Sequence, residues 1–170
     1  LNLNYARTDA DGIINSLKTA YGNIFGDFKL YALYDDKATR RNIMKTLQKL
    51  EDTQPEDVVL IYYAGHGEAG DEEFYFVTHE FELPLSPRRL KRRALSASML
   101  RETVENIGAR RVLLLIDACK SGTAVEGFQD QIDRRAIRRL GTTVGLHIVS
   151  ATAKSQFAVE HETLGHGVFT

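Results

Sequence analysis

The stretch that decides the fold is VLLLIDACKSG, at residues 112–122. An apolar run ends there at Asp117, and Cys119, the one cysteine among 170 residues, follows two positions later in a segment of small residues. A second stretch, VVLIYYAGHG at residues 58–67, repeats the arrangement and ends on His66 between two glycines. Apolar runs of this kind are typical of strands buried on both faces of a parallel sheet. Because parallel strands bring their carboxyl ends to one edge of the sheet, the two runs predict that Cys119 and His66 lie together.

Helical and extended patterns alternate along the rest of the chain. Apolar residues at helical spacing predict helices over residues 9–20, 39–50 and 132–140, and a further helix is predicted from a cap at Ser96 or Ser98 through residue 107. Thr8 or Asp9 is the predicted cap of the first helix. Strands are predicted over residues 29–34, 57–64, 73–78, 110–117 and 145–151. This alternation predicts an α/β fold with a mostly parallel central sheet and helices on both faces.

The composition is that of a soluble globular protein. Hydrophobic residues make up 43% and charged residues 26%, and 170 residues suffice for one domain with a sizeable core. The net charge of −1 gives no argument for nucleic acid or for an anionic membrane as a partner. A single cysteine excludes an internal disulfide and fits a reducing, cytoplasmic compartment. No apolar run approaches the roughly 20 residues that cross a bilayer.

A cysteine and a histidine at one sheet edge are the minimum parts of an activated thiol nucleophile. A free thiol has a pKa of about 8.5, and a neighbouring imidazole takes its proton and later gives it to the leaving amine. The backbone amides of Gly67 and Cys119 are the predicted donors to the oxyanion. The alternative for a single cysteine is a buried small hydrophobic residue, but the polar flanks of Cys119 place it at a strand end.

Together, the GHG at residues 65–67 and the DACKSG at residues 117–122 resemble the caspase-like cysteine peptidases, in particular their metacaspase and bacterial orthocaspase branch. His66 and Cys119 are 53 positions apart, close to the roughly 50-residue spacing of that signature. Residues 150–160 and GHGVFT at residues 165–170 resemble the small-subunit portion of the bacterial members.

The resemblance implies one caspase-like catalytic domain over residues 1–170, folded as a three-layer sandwich. Residues 1–122 correspond to the large subunit, 123–141 to a linker and 142–170 to the small subunit. The family's opening strand and last helix are expected to lie outside this sequence, in a longer polypeptide with additional domains.

Cleavage after arginine or lysine is the predicted specificity. Residues i and i+2 of an extended segment point to the same side, so Asp117 shares its side with Cys119 and attracts a guanidinium or an ammonium group. The resemblance implies the same preference, with a second aspartate near the first strand. Asp9 is the best match for that position, and a helix cap is the alternative explanation of Asp9.

His66 is the predicted base among five histidines. His166 also lies between glycines, but no apolar run leads into it. His147 is predicted to lie in a strand, and His79 and His161 on the surface. The histidines lack the tight spacing of metal ligands, so no metal site and no cofactor are predicted. Calcium activation through Asp71, Glu72 and Glu73 is a weakly supported addition, because three neighbouring carboxylates do not by themselves form a calcium site.

Two basic clusters have three competing explanations: a solvated surface, a nucleic-acid site or sites of self-cleavage. Interleaved aromatic residues are missing, so nucleic acid is not a predicted partner. The first cluster comprises Arg88, Arg89, Lys91, Arg92 and Arg93. The second, in the linker, comprises Arg134, Arg135, Arg138 and Arg139 and contains the predicted self-processing sites.

The sequence thus predicts a cysteine endopeptidase acting on proteins or peptides with basic residues. Two other functions stay open at this point. One is a caspase-like interaction module without catalysis, or an inactive zymogen. The other is an acyl-transfer enzyme such as a peptide ligase.

Overall fold

A computed structural model gives the fold of the protein over residues 6–21, 27–70, 73–81, 86–120, 146–150, 160–161 and 166–167. The helices are α1 (Ala6–Tyr21), α2 (Arg40–Gln48), α3 (Pro87–Arg93) and α4 (Ala97–Glu105), with a 3-10 helix at Asp35–Lys37. The strands are β1 (Val58–Gly70), β2 (Glu73–Val77), β3 (Leu95–Ser96), β4 (Arg111–Lys120), β5 (Leu146–Ser150), β6 (Glu160–His161) and β7 (His166–Gly167).

The main sheet is mixed, with the strand order β3-β2-β1-β4-β5. β4 runs parallel to β1 and to β5, whereas β2 runs antiparallel to β1 and to β3. The α/β class is therefore correct, but the expectation of a mostly parallel sheet is wrong. Only residues 71 and 72 separate β1 from β2. Two residues suffice for a hairpin, whereas a parallel crossover needs a dozen or more.

The main core lies at the centre of this sheet. Leu114 and Ile116 of β4 are fully buried, beside Val59 of β1. Their alternation with the half-buried Leu113 and Leu115 follows the period of a strand. β4 is therefore held by apolar contacts along its length, which fixes its register against its neighbours.

Both faces of β2 are covered. Phe74 and Phe76 belong to the main core, which also contains Leu47 of α2 and Leu100 of α4. Tyr75 and Val77 lie on the opposite face of the strand and form a second cluster with Phe81 and with Leu90 and Ala94 at α3. The three-layer arrangement of the whole sheet stays a prediction.

Two helices begin at residues whose side chains cap their first turn. The Thr39 side chain accepts a hydrogen bond from the backbone N–H of Asn42 (3.2 Å), and the Ser96 side chain accepts one from Met99 (3.3 Å). Both serve as N-caps by satisfying a backbone donor of the first turn. The prediction for Ser96 is confirmed.

Two other local predictions are wrong. α1 begins at Ala6, so Asp9 lies inside its first turn and is not its cap. Residues 29–34 form no strand. Phe28, Leu30 and Tyr31 are about half exposed, and none of the described strands pairs with this segment. Alternating apolar residues need a neighbouring strand before they form a ladder, and alternation within one segment does not supply it.

Candidate active site

His66 and Cys119 lie directly opposite each other in the central ladder of the sheet. β1 and β4 pair in parallel from Val58↔Arg111 through Gly67↔Lys120, and His66↔Cys119 is one of these pairs. Neighbouring strands lie about 4.8 Å apart, so the pairing places the two backbones side by side. The structure places Cys119 by its backbone. The prediction that the two apolar runs form adjacent parallel strands is confirmed.

Both residues lie within strands rather than in loops after them. β1 continues four residues beyond His66 to Gly70, because β2 pairs with residues 66–70 on the side away from β4. β4 continues to Lys120 because β1 remains its partner to that point. Each strand here is as long as the neighbouring strand that pairs with it, and this length cannot be predicted from the length of the apolar run alone.

The Tyr63 side chain holds the backbone at His66. Its buried hydroxyl donates a hydrogen bond to the carbonyl oxygen of His66 (2.6 Å) and lies 3.0 Å from the carbonyl oxygen of Val77, the ladder partner of His66 on β2. Burial raises the pKa of Tyr63, so the hydroxyl keeps its proton and acts as a donor. The ring also packs edge-to-face on Phe76, with a centroid distance of 4.9 Å. Tyr63 therefore ties β1 to β2 at the position of the candidate base.

Gly65 leaves the space that the Tyr63 ring occupies. A Cβ atom at residue 65 would lie 2.6 Å from Cζ of Tyr63 and would collide with its hydroxyl oxygen. The glycine before His66 is thus required by the close approach of an aromatic ring.

Both nitrogens of the His66 ring are shielded from solvent. Gly67, the next residue, is buried and pairs with Phe76 on β2 and with Lys120 on β4. Its predicted role as an oxyanion donor, like that of the Cys119 amide, stays a prediction.

Asp117 is a buried carboxylate on β4, two residues before Cys119. Only 7% of the residue is exposed, and its Oδ2 accepts a hydrogen bond from the hydroxyl of Tyr62 on β1 (3.4 Å). Burial of a carboxylate is costly unless polar groups or a cation face it. Asp117 is therefore a buried carboxylate two residues before the candidate nucleophile, and Tyr62 supplies one of its hydrogen bonds.

Asp9 is also buried, with 4% of the residue exposed, and lies on α1, which packs against β1. The outer side of α1 is anchored to the segment that follows it. The Tyr34 hydroxyl donates to Oδ1 of Asp11 (2.6 Å), and the Arg7 guanidinium lies 5.1 Å from the centre of the Tyr34 ring. Burial and the Asp11 carboxylate raise the pKa of Tyr34 to about 12, so this hydroxyl stays a donor at neutral pH.

The other histidines that the structure describes occupy other positions in the fold. His79 is exposed, as predicted, and His147 lies on β5 opposite Leu113. His161 and His166 face each other in the two-stranded β6–β7 ribbon, where β7 contacts α1. Among the histidines that the structure describes, His66 is the one paired with Cys119.

Glu73 has a structural role at a helix terminus. Its carboxylate accepts a hydrogen bond from the backbone N–H of Ser98 in the first turn of α4 (2.8 Å). Burial opposes ionisation of Glu73, but the hydrogen bonds from Ser98 and Ser96 outweigh it and hold the pKa below its usual value. Asp71 and Glu72, the other members of the proposed calcium cluster, lie outside the described residues.

Several further predictions concern residues that the structure does not describe. They are the predicted helix over residues 132–140 and the self-processing sites Arg134, Arg135, Arg138 and Arg139.

Within the described ranges, no group of three or more His, Cys, Asp or Glu residues is arranged to hold a metal ion. In the same part of the chain, no helix combines the length and apolar character needed to cross a membrane.

Comparison with known families accounts for this arrangement. The family model for the caspase domain of peptidase family C14 matches residues 1–170. The chain belongs to the caspase domain family. A general function as a cysteine-type peptidase, a hydrolase, follows from that membership. No curated protein and no solved structure gives a significant match to the chain.

Two residues of this caspase domain were not identified from the sequence as parts of the site. Tyr62 and Tyr63 lie in the apolar run that leads to His66, and the apolar pattern does not distinguish them from their neighbours. The signal that distinguishes them is their type, because the rest of the run up to Ala64 is aliphatic. A buried tyrosine hydroxyl needs a hydrogen-bond partner, and here the partners are Asp117 and the backbone of His66.

Replacing Tyr63 with phenylalanine is expected to lower the free energy of unfolding of the caspase domain by about 1–2 kcal/mol, because the hydrogen bond from its buried hydroxyl to the carbonyl oxygen of His66 is lost. Urea denaturation measures this change. Tyr31→Phe is the matched control, since it removes a hydroxyl from a largely exposed side chain. Equal stability of the two variants would contradict the proposed role of Tyr63.

Proposed function

We propose that this caspase domain is a cysteine endopeptidase that cleaves peptide bonds after arginine or lysine, with Cys119 and His66 as its catalytic dyad. The observation that carries the proposal is the pairing of His66 with Cys119 on adjacent parallel strands. The dyad needs a thiol and an imidazole within hydrogen-bond reach, and a shared ladder position is the backbone arrangement that permits it.

The chemistry follows from these two groups. His66 takes the proton of the Cys119 thiol, and the thiolate attacks the carbonyl carbon of the scissile bond, whose electron pair moves onto the oxygen. The backbone amides of Gly67 and Cys119 donate to that oxyanion. His66 gives its proton to the leaving amine as the C–N bond breaks, which leaves a thioester on Cys119. His66 then takes a proton from water, and the hydroxide formed attacks the thioester. The C–S bond breaks, the acid is released, and the thiolate regains its proton from His66. No cofactor is needed for any of these steps.

Preference for a basic residue is supported by Asp117. A carboxylate buried next to the nucleophile attracts a guanidinium or an ammonium more strongly than an exposed one, because solvent screens it less. Asp9, buried on the helix that packs against β1, is proposed as the second carboxylate of the pocket. The same two aspartates support membership of the metacaspase and orthocaspase branch.

Self-processing belongs to the same proposal. An enzyme that cleaves after arginine has candidate sites in its own linker at Arg134, Arg135, Arg138 and Arg139. Identical fragment patterns of the wild-type protein and of Cys119→Ala on storage would remove this part of the proposal.

A panel of fluorogenic peptides that differ only in the residue before the cut tests the function. Arginyl and lysyl peptides are expected to be cleaved, aspartyl and leucyl peptides are not, and Cys119→Ala is expected to cleave none. An arginyl chloromethyl ketone is expected to label Cys119, whereas the leucyl analogue is not. Equal or faster cleavage of the aspartyl peptide would overturn the specificity. Absence of both cleavage and labelling would overturn the peptidase and favour an interaction module.

A further inference from the structure

The outer face of α1 is held by two consecutive residues, Tyr34 and Asp35. The Tyr34 hydroxyl donates a hydrogen bond to Oδ1 of Asp11 (2.6 Å). Oδ2 of Asp35 lies 3.7 Å from Nη1 of Arg7, whose guanidinium also lies 5.1 Å from the centre of the Tyr34 ring. Arg7 and Asp11 are four residues apart and therefore share one face of the helix. Both ends of this short stretch of α1 are thus attached to the same two residues.

Asp9 lies between these two attachment points in the sequence and on the opposite face of the helix. A residue two positions further along an α-helix is rotated by about 200° around its axis. Burial agrees with this geometry, because Asp9 is 4% exposed whereas Arg7 and Asp11 are exposed. A shift of α1 at this turn therefore moves Asp9 together with the outer contacts.

The segment that carries Tyr34 has a fixed local structure. The backbone N–H of Lys37 donates to the carbonyl oxygen of Tyr34 (3.0 Å), and that of Ala38 to the carbonyl oxygen of Asp35 (2.8 Å). Asp35 has a φ of 47°, a left-handed conformation that aspartate tolerates better than most residues. The carbonyl oxygen of Ala38 in turn accepts a hydrogen bond from the backbone N–H of His79, just beyond β2 (3.1 Å). Tyr34 thus extends from a turn that is joined to the end of a sheet strand.

The contacts on the outer face of α1 affect geometry more than stability. They are exposed, and exposed pairs of polar or charged groups add little to the free energy of unfolding. Recognition of a guanidinium by a carboxylate depends on hydrogen-bond distance, and a displacement of about 1 Å weakens it strongly. A small shift of α1 would therefore weaken recognition at Asp9 while the fold stays intact.

We propose that Tyr34 is a positioning residue for substrate specificity, which holds α1 through Asp11 and thereby keeps Asp9 in place to meet the basic side chain of the substrate. This inference rests on the proposed peptidase function, with Asp9 as the second carboxylate of the pocket. Tyr34 acts through α1 and does not touch the substrate. Loss of its hydroxyl is expected to weaken recognition of the charge and to leave the chemical steps unchanged.

Tyr34→Phe tests this role, because it removes the hydroxyl and keeps the ring that faces Arg7. The KM for an arginyl peptide is expected to rise about threefold with kcat unchanged, as for an interaction that serves binding alone. The kcat/KM for the uncharged citrullyl peptide is expected to stay the same. Tyr31→Phe is the matched control, since it removes an exposed hydroxyl from the same segment.

Two results with Tyr34→Phe would overturn the inference. An unchanged KM for the arginyl peptide would show that the hydroxyl does not affect recognition. An equal loss on the arginyl and the citrullyl peptides would show general damage to the structure, which does not depend on the charge of the substrate.

A double variant decides whether Tyr34 acts through Asp9. In the Asp9→Asn background, Tyr34→Phe is expected to cause no further change in the ratio of arginyl to citrullyl cleavage, because the carboxylate that it positions is gone. A threefold effect that persists in this background would overturn the inference. A wild-type enzyme that cleaves neither peptide would overturn the proposed function as well, whereas cleavage with an unchanged preference in Tyr34→Phe would overturn this inference alone.

Discussion

Cys119→Ala is expected to abolish cleavage of an arginyl peptide, and His66→Asn is expected to lower kcat/KM by about 10³-fold or more. The first change removes the atom that forms the thioester. The second removes the group that moves the proton twice in each turnover. Initial rates with the fluorogenic arginyl peptide measure both effects, and thermal denaturation checks that the variants are folded.

The double variant gives the sharper result. Residues that act as one unit have non-additive effects, so Cys119→Ala/His66→Asn is expected to be no less active than Cys119→Ala. His79→Asn is the control, because this histidine is exposed and lies beyond the end of β2. A rate for His66→Asn within about tenfold of the wild type would contradict the dyad.

Asp117→Asn is expected to lower kcat/KM for arginyl peptides by about 10²-fold, because a buried carboxylate that pairs with a guanidinium loses its charge while the shape of the side chain is kept. The asparagine oxygen can still accept the hydrogen bond from Tyr62. Tyr62→Phe, which removes only that donor, is expected to have a smaller effect, about threefold. The measurement is again kcat/KM, with a citrullyl peptide as the uncharged counterpart of the arginyl one.

The comparison of substrates separates charge recognition from structural damage. Asp117→Asn is expected to leave cleavage of the citrullyl peptide nearly unchanged while cleavage of the arginyl peptide falls. Asp9→Asn, measured in the same way, tests the second carboxylate. An equal loss on both peptides would show that Asp117 supports the structure and does not recognise charge.

The sequence predicts the centre of this molecule well for a physical reason. Two long apolar runs are best buried as adjacent strands of a sheet. When such strands pair in parallel over their whole length, the register determines which residues lie opposite each other. The predicted strands end at residue 64 and begin again at residue 73, so the hairpin becomes evident only when β1 extends to Gly70. The caps at Thr39 and Ser96 depend on local hydrogen bonds, so they too can be predicted from neighbouring residues.

Features that depend on distant neighbours could not be predicted in this way. The segment at residues 29–34 alternates like a strand, but a ladder needs a partner strand that its own sequence does not specify. β1 extends beyond Ala64 because β2 folds back along it. The roles of Tyr62 and Tyr63 depend on which atoms lie across the ladder, and α3 forms because Leu90 finds a buried site against β1 and β2. The pairing of strands decides each of these features.

The rate at which iodoacetamide alkylates Cys119, measured as a function of pH, tests the central claim most directly. The chain contains one cysteine, so the rate reports on that thiol alone. If His66 faces the thiol, the wild-type rate is expected to remain high well below pH 8.5, and that of His66→Asn to rise with a midpoint near the ordinary thiol pKa of about 8.5. Identical pH profiles for the two proteins would contradict the account.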